Sequence, residues 1–241
     1  MLEENGLPPT RMQVYTRMGI SYAASNERLM RLEREDLVTI SADHRVQLTP
    51  KGLRRAALTV RKHRLVERLL VDIVGLEWEF AHEEAARWQH VLGERVERKL
   101  VQLLPEPWKS PFGNEIPAID ELGLGESQRH DVAGDGKSHV VRCDYFARQG
   151  GGVVTLHSIG EGAQVSHGLL RRLREAQVFP GMTLRVSKQS KREVIVIKCL
   201  DTELTIAPES ASLIFVSVTV GLLPGEISSN GPGRHETASS H

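Results

Sequence analysis

The apolar residues of this 241-residue chain change their spacing midway, and that change limits the folds open to it. Between about residues 8 and 104, apart from the short runs LVTI and RVQL, they recur at helical intervals, as in 22–35 (YAASNERLMRLERE), where Leu29, Met30 and Leu32 supply the apolar positions. Beyond a polar stretch, 125–138 (GESQRHDVAGDGKS), they fall in short β-rich runs: VVRCDYFA, GGVVTLHSI, TLRVSK, EVIVIKCL, ELTIAP and LIFVSVTV. One helical stretch, HGLLRRLREAQV, interrupts these runs. A helical half followed by a strand half is an α+β chain. The predicted domains are a winged helix over 1–49, a helical dimerisation domain over 50–124, a linker over 125–138 and a small β-barrel with one helix over 139–222. The tail, 223–241, has almost no apolar residues and is expected to be disordered.

The N-terminal third carries the most local detail. Residues 8–18 (PPTRMQVYTRM) read as a short helix, Gly19-Ile20-Ser21 as a turn and 22–35 as a second helix, which is the pattern of a helix-turn-helix. The runs LVTI and RVQL, separated by SADH, read as a β-hairpin. Two helices and a hairpin make a winged helix, whose second helix enters the major groove while the wing lies near the phosphates. Thr49 is an N-cap with Pro50 at the first helical position, and the helix they open runs to about Val74, where Gly75 stops it. Amphipathic helices over about 79–92 and 94–104, with Trp88 on the apolar stripe, cannot bury such stripes alone and point to a homodimer. SPFGNEIPAIDELGLG, rich in Pro and Gly, is loop.

Charge adds one constraint. The net charge is zero, yet residues 1–70 hold 13 basic and 8 acidic residues, whereas 71–130 hold 6 basic and 12 acidic. A basic N-terminal third suits an anionic partner such as double-stranded DNA, although a surplus of this size is also ordinary surface charge. No apolar stretch is long enough to span a bilayer, and MLEENGLPPTRM has no apolar signal region. Two cysteines, Cys143 and Cys199, are too few for a disulfide framework and fit a reducing cytoplasm.

His63 and Glu67, four apart, share one face of the long helix, and His82 follows on the next helix. Two imidazoles and a carboxylate suit divalent iron, manganese, cobalt or zinc. Taken alone, such a pair is also what a solvated helix face looks like. Its surroundings decide between the two.

MRLEREDLV, SADHRVQLTPKG, RKHRLVERLLVDIVGL, HEEAARWQHVLGERVERKL and SPFGNEIP resemble the diphtheria toxin repressor family of iron- or manganese-dependent transcriptional repressors, over residues 2 to about 124. GGVVTLHSIGEGAQ and FPGMTLRV are similar to the small C-terminal domain of such regulators and to ferrous-transport A proteins. The resemblance implies an ancillary metal site at His63, Glu67 and His82, with an anion held beside it by Arg64, Ser110 and Asn114. It implies a second site that this chain has largely lost. Three of its positions read Ala86, Gln89 and His90, so that only His90 keeps a ligand, and the ligand from a first helix has no counterpart in a chain that begins with LEENG. The family's C-terminal domain can also lend an acid and an amide to the ancillary site. The matching stretch, QVSHGLL, offers His167 instead, and a three-His, one-Glu site would favour Zn²⁺ or Co²⁺ over Mn²⁺. In the recognition helix, Ser21, Ser25 and Asn26 can contact phosphates or base edges, Glu27 can read cytosine or repel phosphate, and Arg11 and Arg28 are phosphate contacts.

The resulting expectation is a homodimeric DNA-binding repressor that responds to Fe²⁺ or Mn²⁺. Two alternatives stay open: a regulator of the same fold that has lost metal control, and a dimerisation partner that does not bind DNA. Catalysis is not expected, because no nucleophile or general base lies near the metal ligands in sequence.

Overall fold

A computed structural model of the chain describes residues 8–123, 138–189 and 194–219. The expected disordered tail lies outside the described residues, as does the expected linker except for Ser138. The chain is a mixture of helix and sheet in two compact units. One gathers the described residues up to 75 with 84–110 and 115–123; the other gathers 76–83, 111–114 and everything described from 138 onward.

The first unit opens with α1 (Arg11–Met18), a turn through Gly19 and α2 (Tyr22–Arg34). Thr10 and Gln13 form a capping box on α1, and the Ser21 hydroxyl accepts from the Ala24 amide to cap α2. Strands β1 (Val38–Ile40) and β2 (Val46–Leu48) pair antiparallel, and Tyr15, Leu29 and Val38 form the small core beneath them. Thr49 then ties this hairpin to α3 (Pro50–Arg68). Its hydroxyl donates to the Asp36 carbonyl at 2.7 Å and accepts from the Gly52 amide at 2.9 Å. Gly52 sits so close to the hairpin that a Cβ there would lie 1.9 Å from the Leu37 carbonyl oxygen. The boundary expected at 49/50 therefore runs through a tightly packed junction.

The long helix ends where expected, at left-handed Gly75, but Leu69–Val74 is wound as a π-helix. The next two helices are shorter than expected: α4 is Trp78–Trp88 and α5 is Glu94–Leu103. Leu65 of α3 packs with Leu100, Val101 and Leu104 at the end of α5, with Ile116, and with Ile119 and Leu122 of a short 3-10 helix (Ile119–Leu122) inside the stretch expected to be loop, each burial contributing about 1.5–3 kcal/mol. Beneath α3 lies a buried ion pair. Arg61 Nε donates to Glu97 Oε2 at 2.7 Å, with both side chains at least 96% buried (4% and 1% exposed).

The second unit is a six-stranded antiparallel sheet in the order β3 (Ser138–Arg142), β8 (Ile214–Thr219), β4 (Gly152–Ile159), β5 (Thr183–Gln189), β6 (Val194–Cys199), β7 (Thr202–Ile206). The expected barrel is not formed: β3 pairs only with β8 and β7 only with β6, so the described sheet is open. The Thr205 carbonyl on β7 is taken by the Arg172 guanidinium rather than by a β3 amide. CDYFA, expected as strand, is helix α6 (Cys143–Arg148), favoured by Asp144 in its first turn and an Asp144–Arg148 ion pair across one turn. Short helices α7 (Glu161–Gln164) and α9 (Pro208–Ala211) accompany α8 (His167–Glu175), whose Leu169, Leu170 and Leu173 are buried. Within this unit Trp78 stacks on Phe112, and Glu79 receives two bonds from Arg174 at 2.9 and 3.1 Å.

Candidate metal centre and nucleic-acid interface

One turn of α3 separates His63 from Glu67, and the helix brings the His63 Nε2 and Glu67 Oε1 to 2.8 Å. The His63 side chain is 13% exposed and the Glu67 side chain 1%. The inward position of Glu67 follows from the apolar stripe: it lies one turn before Leu70, which is also buried, so the face that enters the core carries the carboxylate with it. A buried carboxylate needs a cation or strong donors around it. His82, on α4, offers the third atom, and the candidate ligand atoms of His63, Glu67 and His82 all lie within 4.8 Å of one another. Two ligands 2.8 Å apart can both sit about 2.1 Å from one ion, so the pair has the spacing that a metal requires. No other such cluster occurs among the described residues.

The other expected ligands lie elsewhere. His167, at the start of α8, is not part of the cluster; its Nε2 is 3.5 Å from Glu83 Oε2 and its ring meets Phe80 edge-on. His90 is exposed and also outside the cluster. The Gln89 amide folds back onto the Ala86 carbonyl at 3.1 Å. Of the expected anion-binding group, Arg64 donates to the Glu115 carbonyl, Asn114 donates to the Ile159 carbonyl at 2.9 Å, and Ser110 is buried. Two of the three are therefore already engaged with backbone oxygens.

On α2 the expected DNA contacts divide in two. Glu27 and Arg28 are exposed, as is Ser21, although its hydroxyl already caps the helix. Asn26 is half-buried and its Oδ1 accepts from the Tyr15 hydroxyl at 3.0 Å. Ser25 is fully buried, which corrects its expected role: one turn before Leu29, it faces the small core and cannot reach a nucleic acid. Arg11 is tied to the hairpin through its backbone amide, which donates to the His44 carbonyl at 2.9 Å. Tyr22, at the first position of α2, is 63% exposed, and its ring meets Tyr15 edge-on with centroids 4.9 Å apart.

Comparison with known proteins bears on both sites. Residues 49–118 match the iron dependent repressor, metal binding and dimerisation domain, and residues 149–218 match the FeoA domain. The iron-dependent repressor IdeR of Mycobacterium tuberculosis is 40% identical over 185 residues, covering 77% of this chain and 78% of the relative. The diphtheria toxin repressor of Corynebacterium diphtheriae is 38% identical over 185 residues, covering 77% and 79%. Among solved structures, a manganese-dependent transcriptional repressor in complex with manganese superposes with a TM-score of 0.67 at 24% identity, covering 87% of this chain and 90% of that one. ScaR with bound Zn²⁺ gives 0.66 at 25%, covering 87% and 91%.

Proposed function

Because the chain belongs to the family of iron-dependent repressors, we propose that it is a metal-responsive, DNA-binding transcriptional repressor that acts in the cytoplasm as a homodimer and controls genes of metal homeostasis. It is a regulator and not an enzyme. The observation that carries the proposal is the convergence of His63, Glu67 and His82. Their donor set fits Fe²⁺ or Mn²⁺ and also accepts Zn²⁺ or Co²⁺. His63, Glu67 and His82 would hold the ion, which would supply positive charge beside the buried Glu67 carboxylate. The chain's own residues then do the rest: α3 is held against the hairpin by Thr49, so order at its middle constrains how α2 and the wing are presented. Presenting two recognition helices at one spacing selects for an operator with matched half-sites.

Homodimerisation is supported by large apolar side chains left exposed on the helical unit, among them Ile73, Val74, Val91, Val96 and Leu103. DNA binding is supported by the order helix, turn, helix, hairpin and by exposed Arg28 on α2. No helix among the described residues is long and apolar enough to cross a membrane.

The test is a DNA-binding titration of the full chain against a selected duplex library, under reducing conditions, with and without Fe²⁺ and Mn²⁺. Metal should raise the affinity at least about tenfold, and His63→Ala or His82→Ala should abolish the increase. A second reading, a regulator freed from metal control, is favoured by Ala86 and by the Gln89 amide folded onto its carbonyl. Equal affinity with and without metal would establish that reading instead.

A further inference from the structure

We infer that the C-terminal unit carries a binding site for a small organic oxyanion, a carboxylate or phosphate on a short apolar body, in the cavity lined by Val141, Arg142, Asp144, Tyr145 and Arg148. The cavity measures about 420 Å³, within the range of small-ligand sites. It lies where β3 runs into α6, and it uses none of the residues assigned to metal or DNA.

The organising group is Asp144, whose side chain is 98% buried (2% exposed). Arg142 grips it with a two-pronged contact, Nε to Oδ1 at 3.0 Å and Nη2 to Oδ2 at 2.9 Å. Arg148 reaches the same Oδ2 from one turn along α6 at 3.2 Å. One carboxylate thus faces two guanidiniums, and the group keeps a net charge of +1. Arg142 Nη1 and Arg148 Nε and Nη1 have no protein acceptor among the described residues, so these donors are left for solvent or a ligand.

Geometry determines what they suit. A guanidinium held by a buried carboxylate has lost most of its rotamer freedom before any ligand arrives, so less entropy is lost on binding. Planar donor forks match the oxygens of a carboxylate or phosphate. Both arginines are about half-exposed (55% and 54%), so solvent screens their charge and an inorganic ion alone is held weakly. Selectivity for an organic anion comes from the half-exposed Tyr145 ring and from Val141 on the other part of the wall.

Calorimetry on the full chain with phenyl phosphate, benzoate and inorganic phosphate tests this. One organic anion should bind saturably at one per chain, more tightly than inorganic phosphate. Arg148→Gln should weaken it at least about tenfold, and Arg148→Lys, which keeps the charge but not the fork, should fail to restore it. Tyr145→Ala should remove the advantage of the organic anion over inorganic phosphate. No saturable binding up to about 10 mM, or binding equally tight in Arg148→Gln, overturns the inference. His63→Ala should leave the anion affinity unchanged, so failure here and failure of the metal-responsive reading can be told apart.

Discussion

Replacing Glu97 by Ala should destabilise the helical unit by about 3–4 kcal/mol, out of proportion to a single side chain. Glu97 and Arg61 are almost wholly buried, and their contact at 2.7 Å joins α3 to α5. Removing one member of a buried pair leaves the other charged and desolvated, which costs about 3–5 kcal/mol. Arg61 is not left bare: its Nη1 still donates to the Ala118 carbonyl at 2.8 Å and lies 3.5 Å from Glu121 Oε2. Those partners place the effect toward the lower part of the range. The cavity left by the lost carboxylate and methylene adds a smaller amount. At an unfolding slope of about 1–3 kcal/mol per molar urea, the midpoint should fall by about 1–4 M. The double variant Arg61→Met/Glu97→Leu should recover most of the loss, because an apolar pair of similar size has no charge to desolvate. Urea melts followed by far-ultraviolet circular dichroism read both effects. A Glu97→Ala loss below about 1 kcal/mol would refute the reasoning, since it would mean that water reaches Arg61 and the pair is a surface contact.

Three further outcomes are expected. Ser25→Ala should stabilise the chain by about 0.5–1 kcal/mol and leave operator affinity unchanged, because the buried Ser25 hydroxyl has no hydrogen-bond partner among the described residues; thermal melts and DNA titration check the two halves. Cys143 and Cys199 should both resist a thiol reagent at pH 8 and react on unfolding, since burial pushes the Cys143 thiol up to about 12 and raises that of Cys199 as well; fast modification of either in the folded chain would contradict this. The hydrogen bonds and charge of Arg174 hold the Glu79 carboxyl below its ordinary value of 4.5, so its stabilising contribution is full above that pH and is lost as the pH falls further, through the folded value. The stability gap between wild type and Arg174→Gln should therefore narrow below pH 4.5.

Punctuation was the most legible part of the sequence. Thr49-Pro50 and Gly75 mark the two ends of the long helical stretch because caps and left-handed glycines act locally. The winding of LLVDIV as a π-helix left no such mark, since the run contains neither glycine nor proline. CDYFA misleads because its aromatics suit strands, while the Asp144–Arg148 pair that favours a helix is visible only when counted at an interval of four. Closure of the sheet depends on whether β3 and β7 meet, and no local pattern encodes that. The candidate metal ligands could be read from spacing and resemblance, whereas their burial could not. Ser25 and Arg61 share one lesson. Each sits one turn before a buried leucine, Leu29 and Leu65, and that interval, rather than residue polarity, gave their inward orientation.

The junction at Gly52 gives α3 the properties of a lever. From Pro50 to His63 the helix advances about 20 Å, at about 1.5 Å per residue. Its N-terminal end is pinned on the Leu37 carbonyl with no room for even a methyl group, and by the Thr49 hydroxyl on Asp36. A shaft so seated cannot take up a tilt by sliding at its foot. A rotation of about 5° set at His63 reappears at the hairpin as a displacement of about 1.7 Å, over a length that a regular helix spans without bending. The gain of such a device is set by backbone geometry. Side-chain changes along the exposed face of α3 should alter its stability while leaving the length of its stroke the same.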